Sequence, residues 1–296
     1  TDLQGILAAN DITLKISQIT GANGNIQVAM AGARNFKADI EGSVKGDKLD
    51  ISYSTHATLN TVENIKVSGD LGAGYDIYSL NTANTTNTVR TIDLSGLKNV
   101  EKGTITLDNS NTNLLSLKAT GGDDKVTLID NMLTNNVANN VDIDLGAGDD
   151  EIITKTLVAN KTVTINGGAG NDLFDVRASK TDVDASKYIV VGDASGGDKI
   201  KFNALDQSSG FERVEDSVVK DATTLKEAIN LAIASNQSAS PILNKVFYFT
   251  YAGDTYVVHN ATSTAVGTPD TLTAADTVVK LAGVRSDDLI LTADYT

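Results

Sequence analysis

Gly167-Gly168-Ala169-Gly170-Asn171-Asp172-Leu173-Phe174-Asp175 is the stretch that decides the fold, because a shortened form of it returns elsewhere in the chain. The copies are Gly72-Ala73-Gly74-Tyr75-Asp76, Thr120-Gly121-Gly122-Asp123-Asp124, Gly146-Ala147-Gly148-Asp149-Asp150, Gly168-Ala169-Gly170-Asn171-Asp172 and Ala194-Ser195-Gly196-Gly197-Asp198. Two residues beyond each final Asp stand Tyr78, Val126, Ile152, Phe174 and Ile200. The copies are defined by Gly and Asp alone, yet every later position is apolar. At 41% hydrophobic composition that coincidence arises about one time in a hundred, so the repeat is real.

Between the copies, short runs alternate apolar and polar residues. Examples are Ile65-Lys66-Val67, Ile92-Asp93-Leu94, Ile105-Thr106-Leu107, Val141-Asp142-Ile143-Asp144-Leu145 and Val163-Thr164-Ile165. Apolar residues two apart share one face of a strand. Many short strands separated by Gly, Asn and Asp imply an all-β sandwich, barrel or solenoid, and the internal repeat selects the solenoid. Ile12-Thr13-Leu14-Lys15-Ile16 and Ile26-Gln27-Val28 alternate in the same way. Residues 1–60 therefore read as earlier coils or as a separate small β region, with earlier coils favoured.

The nonapeptide at 167–175 matches the G-G-x-G-x-D-x-U-x signature of the repeats-in-toxin proteins, and the chain resembles that family. The other copies depart from the signature at one or both leading glycines. Their final Asp residues lie 48, 26, 22 and 26 residues apart, whereas tandem nonapeptides would give multiples of nine. That spacing predicts wider coils with extra strand residues between the turns. Val62–Val67, Thr91–Leu97 and Leu115–Ala119 resemble the coils of Gram-negative surface-layer proteins exported by type I secretion. Phe247-Tyr248-Phe249, Gly253–Val258 and Asp276–Val284 are similar to the C-terminal export region of that group.

The resemblance implies a parallel β-solenoid or β-roll with calcium-binding turns over residues 1–215. A C-terminal region, 216–296, would combine a helix and strands as cap and secretion region. It further implies a secreted protein on the extracellular surface of a Gram-negative bacterium. Its expected partners are copies of itself in a lattice and the type I export machinery, with cell-surface polysaccharide reached through a part upstream of Thr1. The chain starts without Met, as expected of a piece of a longer protein.

Calcium takes six to eight oxygen ligands in a flexible shell. A Gly-rich turn can aim backbone carbonyls inward, which makes Gly74, Gly122, Gly146, Gly148, Gly168, Gly170 and Gly196 candidate contributors. Asp76, Asp124, Asp150, Asp172 and Asp198 are the candidate carboxylate ligands, with Asp123 and Asp149 weaker ones. The plainer alternative is that Gly-Asp phrases only make turns. The apolar residue two positions on should enter the core, coupling metal to folding. Five sites of extracellular affinity would add about 2 to 7 kcal/mol at about 1 mM calcium.

Near the C-terminus, Leu225, Ala228, Ile229, Ala232 and Ile233 form an apolar stripe at helical spacing. With Thr224 and Glu227 as a capping box, they predict a helix over 221–235. Strands are expected near 245–251, 255–259, 277–281 and 288–292, with Gly253-Asp254 turning a hairpin.

Other chemistry lacks its residues. A net charge of −14 argues against a nucleic-acid partner. No run of about 20 apolar residues offers a membrane span. The chain has no Cys, and His56 and His259 stand alone, without a zinc or nucleophile motif. The expectation is a structural, non-enzymatic surface-layer subunit. The alternative is the export and folding module of a secreted repeats-in-toxin adhesin or exoenzyme. Aromatic residues at 5% give little support to a carbohydrate-binding solenoid.

Overall fold

A computed structural model describes residues 11–17, 26–30, 35–41, 49–53, 63–70, 77–81, 89–107, 114–128, 140–154, 162–179, 188–195, 197–202, 211–236, 245–261, 271–284 and 292–293. Gly74 and Asp76 of the first copy and Gly196 of the last lie outside the described residues, as does His56.

The first strands are β1 (Asp11–Ser17), β2 (Ile26–Met30), β3 (Asn35–Glu41), β4 (Leu49–Tyr53), β5 (Asn64–Asp70), β6 (Ile77–Asn81), β7 (Thr91–Lys98) and β8 (Lys102–Leu107). There follow β9 (Ser116–Lys118), β10 (Asp123–Leu128), β11 (Val141–Asp144), β12 (Glu151–Ile153), β13 (Val163–Asn166), β14 (Leu173–Asp175), β15 (Ile189–Val191) and β16 (Lys199–Lys201). Odd-numbered strands run in order through one sheet and even-numbered strands through the other. Neighbours from β1 to β16 pair in parallel, as in Ile143↔Ile165 and Val126↔Ile152. The fold is a parallel β-solenoid in which each coil gives one strand to each sheet. Strands from the first sixty residues extend the same two sheets.

Alternation explains the strands. In β10 the burial pattern reads exposed, buried, exposed, buried, and Val126 and Leu128 enter the core. Ile105, Leu117, Ile143, Ile152, Ile165 and Phe174 are all at most 1% exposed in one continuous cluster between the sheets. Each such side chain contributes about 1.5–3 kcal/mol on burial.

Coil length varies from 21 residues, Lys102 to Asp123, to 29, Asn35 to Asn64. The Gly-Asp phrases fall where an odd strand passes to an even one. The 48-residue gap between the first two copies has a structural reason: β7 and β8 form an intervening coil that lacks the phrase. Asn99, with φ 59°, helps to turn that coil. The register also places Tyr78 opposite Gly103 and Leu80 opposite Ile105. Leu80, not Tyr78, therefore occupies the row of Val126, and the first copy is offset by two residues from the rest.

After β16 the chain leaves the solenoid. It forms β17 (Phe211–Arg213), a one-turn helix α1 (Asp216–Val219), and α2 (Leu225–Asn236). An antiparallel hairpin, β18 (Lys245–Tyr251) and β19 (Asp254–Asn260), follows. The chain then returns, with β20 (Thr277–Leu281) parallel to β15 and β21 (Thr292–Ala293) parallel to β16. The C-terminal strands thus complete a last coil and carry the cap on its edge.

The helix starts four residues later than its expected bound, and a second, shorter helix precedes it. Thr224 Oγ1 accepts the Glu227 N–H at 3.2 Å, but the Glu227 carboxylate reaches back to the Thr223 N–H at 2.8 Å, so two threonines share the cap. The hairpin turn also shifts by one residue, to Ala252-Gly253, with φ of 52° and 89°. Two positive φ values define the type I′ turn that suits the twist of a hairpin. Of the strand expected near 288–292, residues 288–291 lie outside the described residues.

Candidate metal centre

Because the coils stack in register, Asp124, Asp150, Asp172 and Asp198 form a column along one edge of the solenoid. The Asp150 carboxylate Oδ1 accepts the Asp124 N–H at 2.6 Å. Asp172 Oδ1 accepts the Asp150 N–H at 2.9 Å, and Asp198 Oδ1 accepts the Asp172 N–H at 3.0 Å. One oxygen each of Asp150, Asp172 and Asp198 thus ties its coil to the coil before. Val126, Ile152, Phe174 and Ile200, two residues on, point into the core from the same turns.

Stacking this close requires glycine. Gly170 has φ +148°, and a methyl group there would lie 1.8 Å from the Gly148 carbonyl oxygen. At Gly168, φ +96°, a methyl would meet the Gly146 carbonyl oxygen at the same distance. Ala147 and Ala169, between these glycines, form a parallel bridge.

The second oxygens divide the column. Asp124 Oδ2 accepts the Thr120 N–H and hydroxyl at 2.7 and 2.8 Å. Asp198 Oδ2 accepts the Ser195 N–H at 2.7 Å. Asp150 Oδ2 and Asp172 Oδ2 are buried with no hydrogen-bond partner, although each residue is only 1% exposed. Burial, reinforced by the neighbouring column acids, pushes the Asp150 carboxyl up to about 8 and the Asp172 carboxyl up to about 6. Two carboxylates one strand spacing apart, about 4.8 Å, repel by roughly 3 kcal/mol at an effective dielectric of about 20.

A hard divalent cation fits such a place. It would satisfy the orphaned oxygens, offset the repulsion and accept glycine carbonyls. Space beside the acid is kept by Gly167, where a methyl would fall 2.2 Å from Asp172 Oδ2. Among the described residues no three His, Cys, Asp or Glu side chains converge on one point, so the rest of a shell would be backbone oxygen or water.

Asp123 and Asp149 stand outside the column and are exposed. Asp123 Oδ1 accepts the Asp149 N–H, and Asp149 Oδ1 accepts the Asn171 N–H, both at 2.9 Å. They form a second, outer ladder of side chain to backbone. Two contributors were not singled out from sequence. Asp193 clamps the Gly167 and Gly168 N–H groups, each at 2.9 Å. Thr120 occupies the place that glycine takes at 146 and 168. Its β-branched hydroxyl within a glycine phrase was the available signal.

The fold and this column define a class: a parallel β-solenoid stitched along one edge by buried acidic turns. No family model matches the chain, and no curated protein matches it.

Proposed function

We propose that the chain is a calcium-binding structural subunit of a bacterial surface layer, secreted by a type I route and folded outside the cell. The observation that carries the reading is the pair of buried, unpartnered carboxylate oxygens of Asp150 and Asp172. A fold that buries such oxygens between stacked coils gains from a dication and loses without one. Cytoplasmic calcium is scarce, so the chain would stay loose for export and tighten outside. The −14 charge supports assembly through the same ion, since copies repel until a divalent cation intervenes. The resemblance of the coils and tail to surface-layer proteins supplies the lattice.

A calcium titration with EDTA reversal tests this, with circular dichroism and light scattering read together. The expected result is a gain of β-signal accompanied by large ordered particles. Gain of β-signal without particles would remove the surface layer and leave an export and folding module. No response in either signal would sink the reading.

A further inference from the structure

We infer that Thr120 is a built-in substitute for a cation, so that the ion-binding row begins at Asp150 and excludes Asp124. The inference rests on the calcium reading above, and it distributes the ions unevenly over acids that the repeat makes look alike. The residue four before each column Asp is Thr120, Gly146, Gly168 and Ala194. Thr120 alone has a hydroxyl, and it is 3% exposed. That hydroxyl donates its proton to Asp124 Oδ2 at 2.8 Å while accepting the Gly122 N–H at 3.2 Å. Its own N–H donates to the same Oδ2 at 2.7 Å.

Asp124 is as buried as Asp150, at 1% exposure, yet its Oδ2 holds two donors where that of Asp150 has none. A cation at Asp124 would have to break both bonds and would meet a hydroxyl oxygen already engaged. At Asp150 and Asp172 glycine leaves the place open. At the far end Asp198 Oδ2 accepts a backbone N–H from Ser195 and no hydroxyl, and among the described column acids Asp150 and Asp172 keep an oxygen without a partner. The chemistry is that of a terminator: neutral donors replace a dication where the column meets the coil of β7 and β8, whose turn offers no matching acid.

Calorimetric titration of the full chain with calcium, with folding followed by circular dichroism, tests this. Asp124→Asn should leave the number of bound ions unchanged, whereas Asp150→Asn should lower it. Thr120→Gly, which restores the residue found at 146 and 168, should add one ion per chain, and Asp124→Asn in that background should remove it. Loss of an ion in Asp124→Asn alone, or an unchanged count in Thr120→Gly, overturns the inference while leaving the calcium reading standing. If Asp124→Asn does not fold, the Thr120→Gly count decides. No calcium bound by the native chain overturns both.

Discussion

The cap and the repeat edge each bury an aspartate almost completely, and they treat it in opposite ways. Asp276, 0% exposed, lies at the start of β20. It accepts the Ala261 N–H at 2.8 Å, the Thr273 N–H at 2.6 Å and the Thr273 hydroxyl at 3.0 Å. Asp150, 1% exposed, has an oxygen with nothing to accept. A buried acid is tolerated when the protein provides the donors, and it becomes a demand on the solvent when the protein does not. At Asp276 the polypeptide supplies donors to both carboxylate oxygens, whereas at Asp150 and Asp172 it leaves one oxygen of each without a donor.

Apolar packing gives the cap its stability. Phe247, Phe249, Tyr256, Val258 and Val278 meet Ala228, Ile229, Ala232 and Ile233 of α2 in one cluster. Phe249 stacks on Tyr256 with ring centroids 6.0 Å apart. Phe249→Ala should therefore cost about 3–5 kcal/mol, equally with calcium and with EDTA, as read by chemical denaturation. A cost that depends on calcium would erase the distinction between the regions.

Acid should move the two regions in opposite directions. In EDTA, the folded Asp150 takes up its proton near pH 8 and Asp172 near pH 6, while the unfolded chain waits until about 3.8. The coils therefore gain stability as pH falls through that window. His259 in β19 behaves inversely. Burial beside the Phe202 ring, 6.0 Å away, holds its imidazole down at about 4 against 6.5 unfolded. Its contribution is intact above pH 6.5 and is lost as pH falls towards 4. Hydrogen exchange resolved by peptide, corrected for intrinsic rates, should show coils protected and cap loosened on acidification. The same trend in both would contradict the comparison.

The smallest effect belongs to the helix start. Thr224→Ala removes one cap bond and should cost about 1 kcal/mol, measurable as a lower melting temperature with or without calcium.

Much of this fold was legible because each rung needs only local alternation. Val141-Asp142-Ile143 reads as a strand with one inward face, and β11 has the pattern buried, exposed, buried. The glycines of 146–148 and 168–170 announced turns, and the apolar residue two beyond each Asp announced the core. Register was not legible. Parallel pairing joins residues a full coil apart and leaves no local mark, so the silent coil of β7 and β8 and the offset of Tyr78 emerge only from the pairings. The long excursion between β16 and β20 was hidden for the same reason, since nothing in Thr277-Val278-Val279 specifies Ile189 and its neighbours as partners. In the column itself, sequence gave every Asp the same role. Thr120 in place of a glycine separates Asp124 from Asp150, and that distinction rests on hydrogen bonds.

The most direct test compares the thermal unfolding of the native chain and Asp150→Asn at about pH 9, where the native carboxyl is ionised, in calcium and in EDTA. The account predicts a reversal. In calcium the variant loses a ligand and melts lower. In EDTA it loses a buried, repelled charge whose Oδ2 has no partner and melts higher, each by an effect of about 1–3 kcal/mol. The same ranking in both conditions would mean that calcium does not complete the column, and the central claim would fall.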